Sequence, residues 1–283
     1  MQRTMHFLWN RVEITRPHNL AVAALTILVG WTVAGGGPLD ARLVLAVIAG
    51  TLVAAAGNVV NDFFDADIDR INKPRRPIPS GRMTRGQSWR YFMLLTAVAL
   101  GAALAADLRA FAVAAVWTGC LYLYSARLKT RFLLGNLMVS VVCASGFALG
   151  AWLAGRPAAA VAPMLLTFPF LLGREIVKDV EDLPGDRACG ARTLAGRWGE
   201  RRALAVALVC FTVFAALVPW PYLQRIYGRE YLLLFGCGVI PLLALAVGLM
   251  LRDPSRGNLL RVNWILKLDM ILGVLGFYVG VSR

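Results

Sequence analysis

Acidic side chains are scarce in this sequence, and so are charged side chains as a whole. There are 16 Asp and Glu residues against 30 Lys and Arg, and charged residues make up 16% of the 283 positions. A soluble globular chain has about 25%. Apolar residues make up 58% and are gathered into long runs, so the sequence is typical of a membrane protein and not of an unusually apolar soluble one.

Patterns of cysteine and histidine that hold metals or form disulfides are also lacking. The five cysteines are scattered without a Cys-x-x-Cys pair, and only Cys189 lies outside an apolar run. The two histidines, His6 and His18, belong to no cluster of metal-binding residues. We therefore expect neither a disulfide framework nor a zinc site.

Nine apolar runs each approach the ~20 residues that cross ~30 Å of hydrocarbon. They are 17–36, 42–61, 88–107, 109–125, 132–153, 157–178, 201–221, 231–251 and 263–281. The pattern predicts an all-α integral membrane protein with nine transmembrane helices. No segment between the runs is long enough for a separate domain, so residues 1–283 are expected to form a single membrane-embedded domain.

The distribution of Lys and Arg predicts the orientation in the membrane. With the N-terminus in the cytoplasm, 23 of the 30 basic residues fall in cytoplasmic segments and six in external ones, and the bias holds at every pair of loops. The basic excess is therefore a topology signal and a contact for anionic lipids, and no nucleic-acid partner is expected. We predict a multi-pass protein of the cell membrane.

The few acidic residues are concentrated in two clusters on the predicted cytoplasmic side. Four lie between Asn61 and Asp69 and five between Glu175 and Asp186, together nine of the 16. Each cluster directly follows an apolar run, the second run in one case and the sixth in the other. Charge at a membrane boundary is costly unless a function uses it, so the two clusters are the candidate functional site.

The spacing within each cluster places most of its acids on one helix face. The first face holds Asn61, Asp62, Asp65 and Asp69, and the second holds Asp179, Asp182 and Asp186. Like charges at these spacings repel, and Mg²⁺, which is bound by carboxylates together with substrate phosphates, would offset the repulsion. The alternative is two solvated helix ends paired with Arg. Asp67 and Glu181 lie off these faces and are expected to be solvated or salt-bridged.

Two basic residues near the clusters are candidates for contacts with a phosphate. Arg76 precedes the segment Pro77–Gly81, whose prolines and glycine turn the chain, and Lys129 follows the fourth run. A cation beside a magnesium site stabilises the charge that grows on a departing pyrophosphate. A transporter is the rival class, but transporters place ionisable residues near the bilayer midplane, and these acids lie at helix ends.

The segment from Asn61 to Arg82 closely resembles the first motif of the UbiA superfamily of intramembrane prenyltransferases. The family pattern NxxxDxxxD falls on Asn61, Asp65 and Asp69, and the second pattern, DxxxD, falls on Asp182 and Asp186. The nine runs match the family too. The resemblance implies a UbiA-type fold around a central cavity, a prenyl diphosphate donor held with Mg²⁺, and an active site that faces the cytoplasm.

The segment from Arg174 to Arg187 is similar to superfamily members that make archaeal-type ether lipids. This implies transfer of a geranylgeranyl group from its diphosphate to the hydroxyl of geranylgeranylglyceryl phosphate, with release of pyrophosphate. Chlorophyll synthases share a similar Arg-Pro-Ile-Pro-Ser-Gly-Arg loop, so an aromatic or tetrapyrrole acceptor, as in quinone or chlorophyll biosynthesis, stays open. Arg75 also departs from the acidic residue common in related lipid-type sequences.

The resemblance further implies roles for single residues. The implied metal ligands are Asn61, Asp62, Asp65, Asp69, Asp179, Asp182 and Asp186. The implied catalytic residues are Asp65, Asp182, Lys129, Arg76 and Tyr124, and the substrate-binding residues are Arg16, Asn19, Asn61, Arg76, Tyr122 and Lys129. The two tyrosines either face a carbocation or belong to an interfacial aromatic belt. Lys267 and Asp269 either pair with each other or have a polar role in the site.

Overall fold

A computed structural model describes the backbone of residues 2–281 and the side chains of residues 8–281. Arg3, His6 and Arg283, which entered the sequence analysis, have side chains outside the described residues. Within the described range the backbone forms sixteen α-helices and no strand, which confirms the predicted all-α class.

The helices follow one another with short connections. In chain order they are α1 (Gln2–Thr15), α2 (Pro17–Val33), α3 (Ala41–Phe64), α4 (Ala66–Asn72), α5 (Arg85–Ala106), α6 (Leu108–Leu123), α7 (Leu134–Ala144), α8 (Gly146–Leu153), α9 (Val161–Glu181), α10 (Leu183–Ala188), α11 (Leu194–Trp198), α12 (Glu200–Leu217), α13 (Trp220–Leu223), α14 (Arg229–Leu234), α15 (Ile240–Arg252) and α16 (Arg256–Val279). A 3₁₀ turn (Pro157–Ala160) precedes α9, and π-helical turns (Tyr124–Leu128 and Phe235–Val239) continue α6 and α14.

Eight helical segments within residues 2–281 are long and apolar enough to cross a membrane. They are Ala41–Phe64, Arg85–Ala106, Leu108–Leu128, Leu134–Leu153, Pro157–Glu181, Glu200–Leu223, Arg229–Arg252 and Arg256–Val279. These segments correspond to the second to ninth predicted spans. The first predicted span is the apolar helix α2, which has 17 residues and is shorter than the others.

Two acidic residues outside the two clusters, Asp40 and Asp107, cap the starts of helices. The carboxylate of Asp40 accepts a hydrogen bond from the Leu43 amide at 2.7 Å, where α3 starts. Asp107 caps α6 through the Arg109 amide at 2.7 Å and also pairs with Arg42. Each side chain satisfies an amide that has no partner within its own helix, so these acids have a structural use that the clustered acids lack.

Helix α2 lies against α8 with almost no side chain between the two backbones. A Cβ atom added to Gly30 would lie 2.2 Å from the carbonyl oxygen of Phe147, and one added to Gly150 would lie 2.0 Å from that of Ile27. Only glycine permits this approach. The contact fixes the position of α2, whose first residues point into the cavity described below.

Candidate functional site

The first acidic cluster lies at a break between two helices. Helix α3 ends at Phe64 and α4 begins at Ala66, so Asp65 stands at the junction. The turn of helix is nevertheless maintained, because the Asp65 amide donates to the Asn61 carbonyl and the Asp69 amide to that of Asp65. The single continuous helix that the sequence analysis expected is therefore kinked at Asp65, although the spacing of the cluster is preserved.

The carboxylates of the first cluster are buried and paired with cations. Asp62, Asp65 and Asp69 are each less than 5% exposed. Arg76 donates to Asp62 at 3.1 Å and to Asp69 at 2.6 Å, and Lys129 donates to Asp65. Arg16 is a second partner of Asp62. Arg76 thus reaches two acids of the first cluster from the start of the segment that contains the prolines and glycine.

The second cluster has the same arrangement. Asp182 stands at the junction of α9 and α10, and both of its carboxylate oxygens accept from Lys73 at 2.6 Å. Asp179 accepts from Asn136 at 2.9 Å. The Asp186 side chain, although only 4% exposed, has no hydrogen bond or ion pair among the residues described here. These acids are paired or buried and are not solvated helix ends.

Asn72 joins the two clusters directly. Its side chain donates to the carbonyl of Asp182 at 2.6 Å and accepts from the amide of Gly185 at 3.0 Å. It thereby holds the last turn of α4 against the start of α10. The sequence analysis did not single out Asn72 or Lys73, although both directly follow the first motif.

Electrostatic effects also show that the clusters face each other. Burial raises the pKa of Asp186 to about 6, and the nearby carboxylates of Asp182 and Asp65 act in the same direction. Burial likewise raises the pKa of Asp69 above its usual value, against the opposing effect of Arg76. Burial alone would raise the pKa of Asp182 as well, but Lys73, Lys129 and Lys178 together outweigh burial and lower that pKa. Carboxylates from both clusters therefore share one environment.

No preformed metal site is present in the described part of the chain. Among those residues no three His, Cys, Asp or Glu side chains are grouped so that they would hold a metal ion. The oxygens of Asp62, Asp65, Asp69 and Asp182 are instead engaged by Lys and Arg. The available ligands are nevertheless all oxygens, which is the donor set that Mg²⁺ prefers.

A cavity of about 500 Å³ extends from the clusters into the helix bundle, within the usual size of a small-molecule site. Its polar part is lined by Arg16, Asn19, Asn61, Asp62, Lys73, Arg76, Tyr124, Arg174, Glu175 and Lys178. Its apolar part is formed mainly by α2, α3, α6 and α7, with residues such as Ile27, Val53, Trp117 and Val142. The cavity thus joins a charged end to an apolar channel.

The structure brings most of the predicted site residues to this cavity or directly behind it. Arg16, Asn19, Asn61, Asp62, Arg76 and Tyr124 line the cavity. Lys129 donates a hydrogen bond to the Asp65 carboxylate, and Asn61 donates another at 2.7 Å. Tyr122 does not line the cavity: it is 40% exposed and lies 5.8–6.4 Å from the rings of Phe64, Trp89 and Phe92.

One expectation from the sequence is wrong, and one of two open alternatives is excluded. Glu181 is not solvated or salt-bridged: it is 4% exposed and accepts from Asn263 at 2.6 Å. Of the two alternatives for Lys267 and Asp269, mutual pairing is excluded: Lys267 lines the cavity beside His18, while both carboxylate oxygens of Asp269 are buried without a partner among the described residues. Residues two apart on a helix point in different directions, a signal that was available in the sequence.

Glu175 and its two cations form a further buried group at the cavity wall. The carboxylate accepts from Arg174 at 2.8 Å and from Lys178 at 2.6 Å. Both cations lie on α9 four residues apart, a spacing that puts them on one helix face. The sequence analysis counted Glu175 within the second cluster but gave no role to Arg174 or Lys178.

Comparison with known proteins gives consistent similarities over nearly the whole chain. Residues 23–266 match the model of the UbiA prenyltransferase family. A digeranylgeranylglyceryl phosphate synthase from Methanopyrus kandleri is 42% identical over 266 residues, which cover 94% of this chain and 97% of that protein.

Two solved structures are similar in fold. A structure of digeranylgeranylglyceryl phosphate synthase superposes with a TM-score of 0.74 at 30% identity and covers 97% of this chain and 98% of that one. A UbiA homolog from Archaeoglobus fulgidus bound to GPP and Mg²⁺ gives a TM-score of 0.70 at 18% identity, with 95% and 99% covered.

Proposed function

Since this chain belongs to the UbiA prenyltransferase family, we propose that it transfers a geranylgeranyl group from geranylgeranyl diphosphate to the hydroxyl of geranylgeranylglyceryl phosphate. The product is an ether lipid, and pyrophosphate is released. The chain is a multi-pass membrane prenyltransferase. Relatives at 30–42% identity over nearly the full length are named for synthesis of this product, which supports the acceptor.

The proposed prenyl diphosphate donor is supported by the buried carboxylates and cations that lie at one end of an apolar cavity. A prenyl diphosphate has the same two parts, a charged head and a long apolar tail. Lys73, Arg76 and Lys129 are the cations nearest the motif carboxylates. When a diphosphate binds, its oxygens compete for these cations and free the carboxylates that they now neutralise.

The freed carboxylates have the right chemistry for Mg²⁺, an ion bound together with a prenyl diphosphate in the Archaeoglobus fulgidus homolog. We assign Asn61, Asp65, Asp69, Asp182 and Asp186 as its ligands, with Asp62 and Asp179 in support. When bound, Mg²⁺ neutralises charge on the leaving group. Every proposed ligand atom is an oxygen, as this hard cation requires.

The residues of the chain account for the remaining steps. Arg76 and Lys129 donate hydrogen bonds to the departing pyrophosphate and stabilise its growing charge. The C–O bond to the isoprenoid breaks with its electron pair on the pyrophosphate, which leaves an allylic cation. Tyr124, which is 8% exposed and lines the cavity, offers an aromatic face to that cation. The acceptor oxygen bonds to the cation, and its proton passes to a carboxylate or a diphosphate oxygen.

The proposal includes an orientation with nine spans. Helix α2, at 17 residues, is at the lower end of the ~17–25 residues that span a bilayer, and the basic residues favour a cytoplasmic N-terminus and active site.

In this orientation Cys189 would lie in a cytoplasmic loop. A membrane-impermeant maleimide should label it only after cells are permeabilised, whereas Arg225→Cys in a Cys189→Ala background should be labelled from outside. The reverse pattern would exclude this orientation.

The acceptor is tested by incubating membranes that contain the protein with labelled geranylgeranyl diphosphate and four acceptors. These are geranylgeranylglyceryl phosphate, hydroxybenzoate, homogentisate and chlorophyllide. We expect product only with the first, identified by mass, and none with membranes that carry Asp182→Asn. Transfer to an aromatic acceptor or to chlorophyllide, without transfer to the glyceryl phosphate, would refute the proposed acceptor.

A further inference from the structure

Lys267 is exceptional among the four lysines of the chain. Lys73, Lys129 and Lys178 each form an ion pair with a buried carboxylate. Lys267 lines the cavity from α16, yet it forms no ion pair within the described residues. A cation that faces a partly enclosed cavity without a carboxylate partner has capacity to bind an anion.

The surroundings of Lys267 are mostly positive. Its Nζ lies 3.4 Å from Nε2 of His18, and the charged groups that act on it most strongly are Arg174, Arg16, Glu181 and Lys178. Three of these four are cations. Glu181, the one acid among them, already accepts from Asn263, and the Lys267 ammonium also lies 4.2 Å from the centre of the Trp264 ring. The ring contact favours the cation but does not balance its charge.

Arg174 has hydrogen-bonding capacity to spare on the same side of the cavity. One terminal nitrogen of its guanidinium donates to Glu175, while its Nε has no acceptor among the described residues. Planar guanidinium groups bind phosphate oxygens through two donors at once. His18, Arg174 and Lys267 come from three different helices, α2, α9 and α16, and all three line the one cavity.

We propose that His18, Arg174 and Lys267 form a second anion site, which binds the phosphate of the acceptor. The inference rests on the proposed function, because it takes the acceptor to be a glycerol ether that carries a phosphate monoester. The site is separate from the donor site, since among the described residues His18, Arg174 and Lys267 contact no motif aspartate. Lys73, Arg76 and Lys129 are each paired with one. Two phosphate-bearing substrates require two cationic sites, and the cavity has both.

The site is tested with a pair of acceptors that differ only in the phosphate, geranylgeranylglyceryl phosphate and geranylgeranylglycerol. The wild-type protein should prefer the phosphorylated acceptor. We expect Lys267→Met to lower kcat/KM for that acceptor about 10- to 100-fold, the range for loss of a hydrogen bond to a charged group. The same variant should leave kcat/KM for the neutral acceptor and the KM for the donor diphosphate unchanged.

Three further variants strengthen the test. Lys267→Arg should restore much of the preference, and His18→Gln should weaken it less than Lys267→Met does. Arg261→Met removes a positive charge from an exposed position on the same helix and should have no effect on the preference. An unchanged donor KM shows in each case that the variant is folded.

The outcomes separate the inference from the function on which it rests. If Lys267→Met slows both acceptors equally, or if the wild-type protein does not distinguish them, the phosphate site is wrong while the transfer reaction stands. If the wild-type protein transfers to neither glyceryl acceptor but modifies an aromatic one, the proposed function fails and the phosphate site fails with it.

Discussion

Three motif carboxylates of the candidate site form buried ion pairs. Asp65 pairs with Lys129, Asp69 with Arg76 and Asp182 with Lys73. Removing one member of such a pair leaves an uncompensated charge in a low-dielectric site. The arrangement explains how so many acids persist at the boundary of an apolar bundle. It also makes the acids available to a ligand that competes for their cations.

Replacing a motif aspartate by asparagine tests its role at the residue scale. We expect Asp65→Asn and Asp182→Asn each to lower prenyl transfer by about a hundredfold or more, the scale on which loss of a group that stabilises transition-state charge acts. The matched control is Asp67→Asn, since Asp67 lies in the same motif but is exposed and pairs with Arg85 at the surface. Steady-state assays of purified protein in detergent should show near-normal activity for the control alone.

Asp269 supports a prediction about stability. Its side chain is 1% exposed and neither carboxylate oxygen has a partner in the part of the chain that the structure describes, so the group loses its hydration on folding without gaining a hydrogen bond there. We expect Asp269→Leu to raise thermal stability in detergent, by about 1–3 kcal/mol of unfolding free energy. Glu181→Leu should instead lower stability, because it leaves the Asn263 amide unpaired. A lower melting temperature for Asp269→Leu would contradict this account.

The sequence predicted the acids of the site better than their partners. The carboxylates of both motifs stand at regular spacings that can be read from the chain. Their partners are separated from them by up to 109 residues, as Lys73 is from Asp182, and no local pattern encodes that contact. The spacing of Lys267 and Asp269 already argued against their pairing, but only the packing shows that Lys267 lies beside His18.

At the scale of helices, the site depends on two breaks and one close contact. The breaks at Asp65 and Asp182 end the long helices α3 and α9 and begin the short helices α4 and α10, which Asn72 then joins. The predicted spans were close to the observed helices because hydrophobic length is a local property. The helix breaks were not predicted, because nothing in the local sequence distinguishes an aspartate at a helix junction from one inside a helix.

The close contact between α2 and α8 gives a prediction at this scale. A Cβ at position 150 would lie 2.0 Å from a backbone oxygen of α2, so Gly150→Ala must push the two helices apart. We expect a loss of about 1–3 kcal/mol of stability, as for overpacked cores, and reduced activity because α2 carries His18 and Asn19 and follows directly on Arg16. Gly101→Ala, where a Cβ meets nothing within 4 Å, should leave melting temperature and activity near wild-type values.

At the scale of the whole molecule, charge and apolar surface are kept apart, with charged groups at one end of the cavity and the apolar channel beyond. The proposed Mg²⁺ requirement follows from the charged end alone. EDTA should abolish transfer, and added Mg²⁺ should restore it, as measured by release of pyrophosphate. Because Lys73, Arg76 and Lys129 already neutralise carboxylates of the site, EDTA should not lower the melting temperature of the substrate-free protein. Full activity in EDTA would contradict the assigned ligands.

The size of the cavity bears on how the product leaves. The cavity of about 500 Å³ lies within the range of sites that hold one small molecule. The product of the proposed reaction has two chains of twenty carbons each. Leu260 and Trp264 line the cavity and are 45% and 58% exposed, so it opens sideways beside α16. We therefore expect both tails to extend into the bilayer during turnover and the finished lipid to depart by lateral diffusion without passing through water. With the far ends of the tails solvated by lipid, we expect the enzyme to distinguish its substrates by their head groups and to accept tails of greater length.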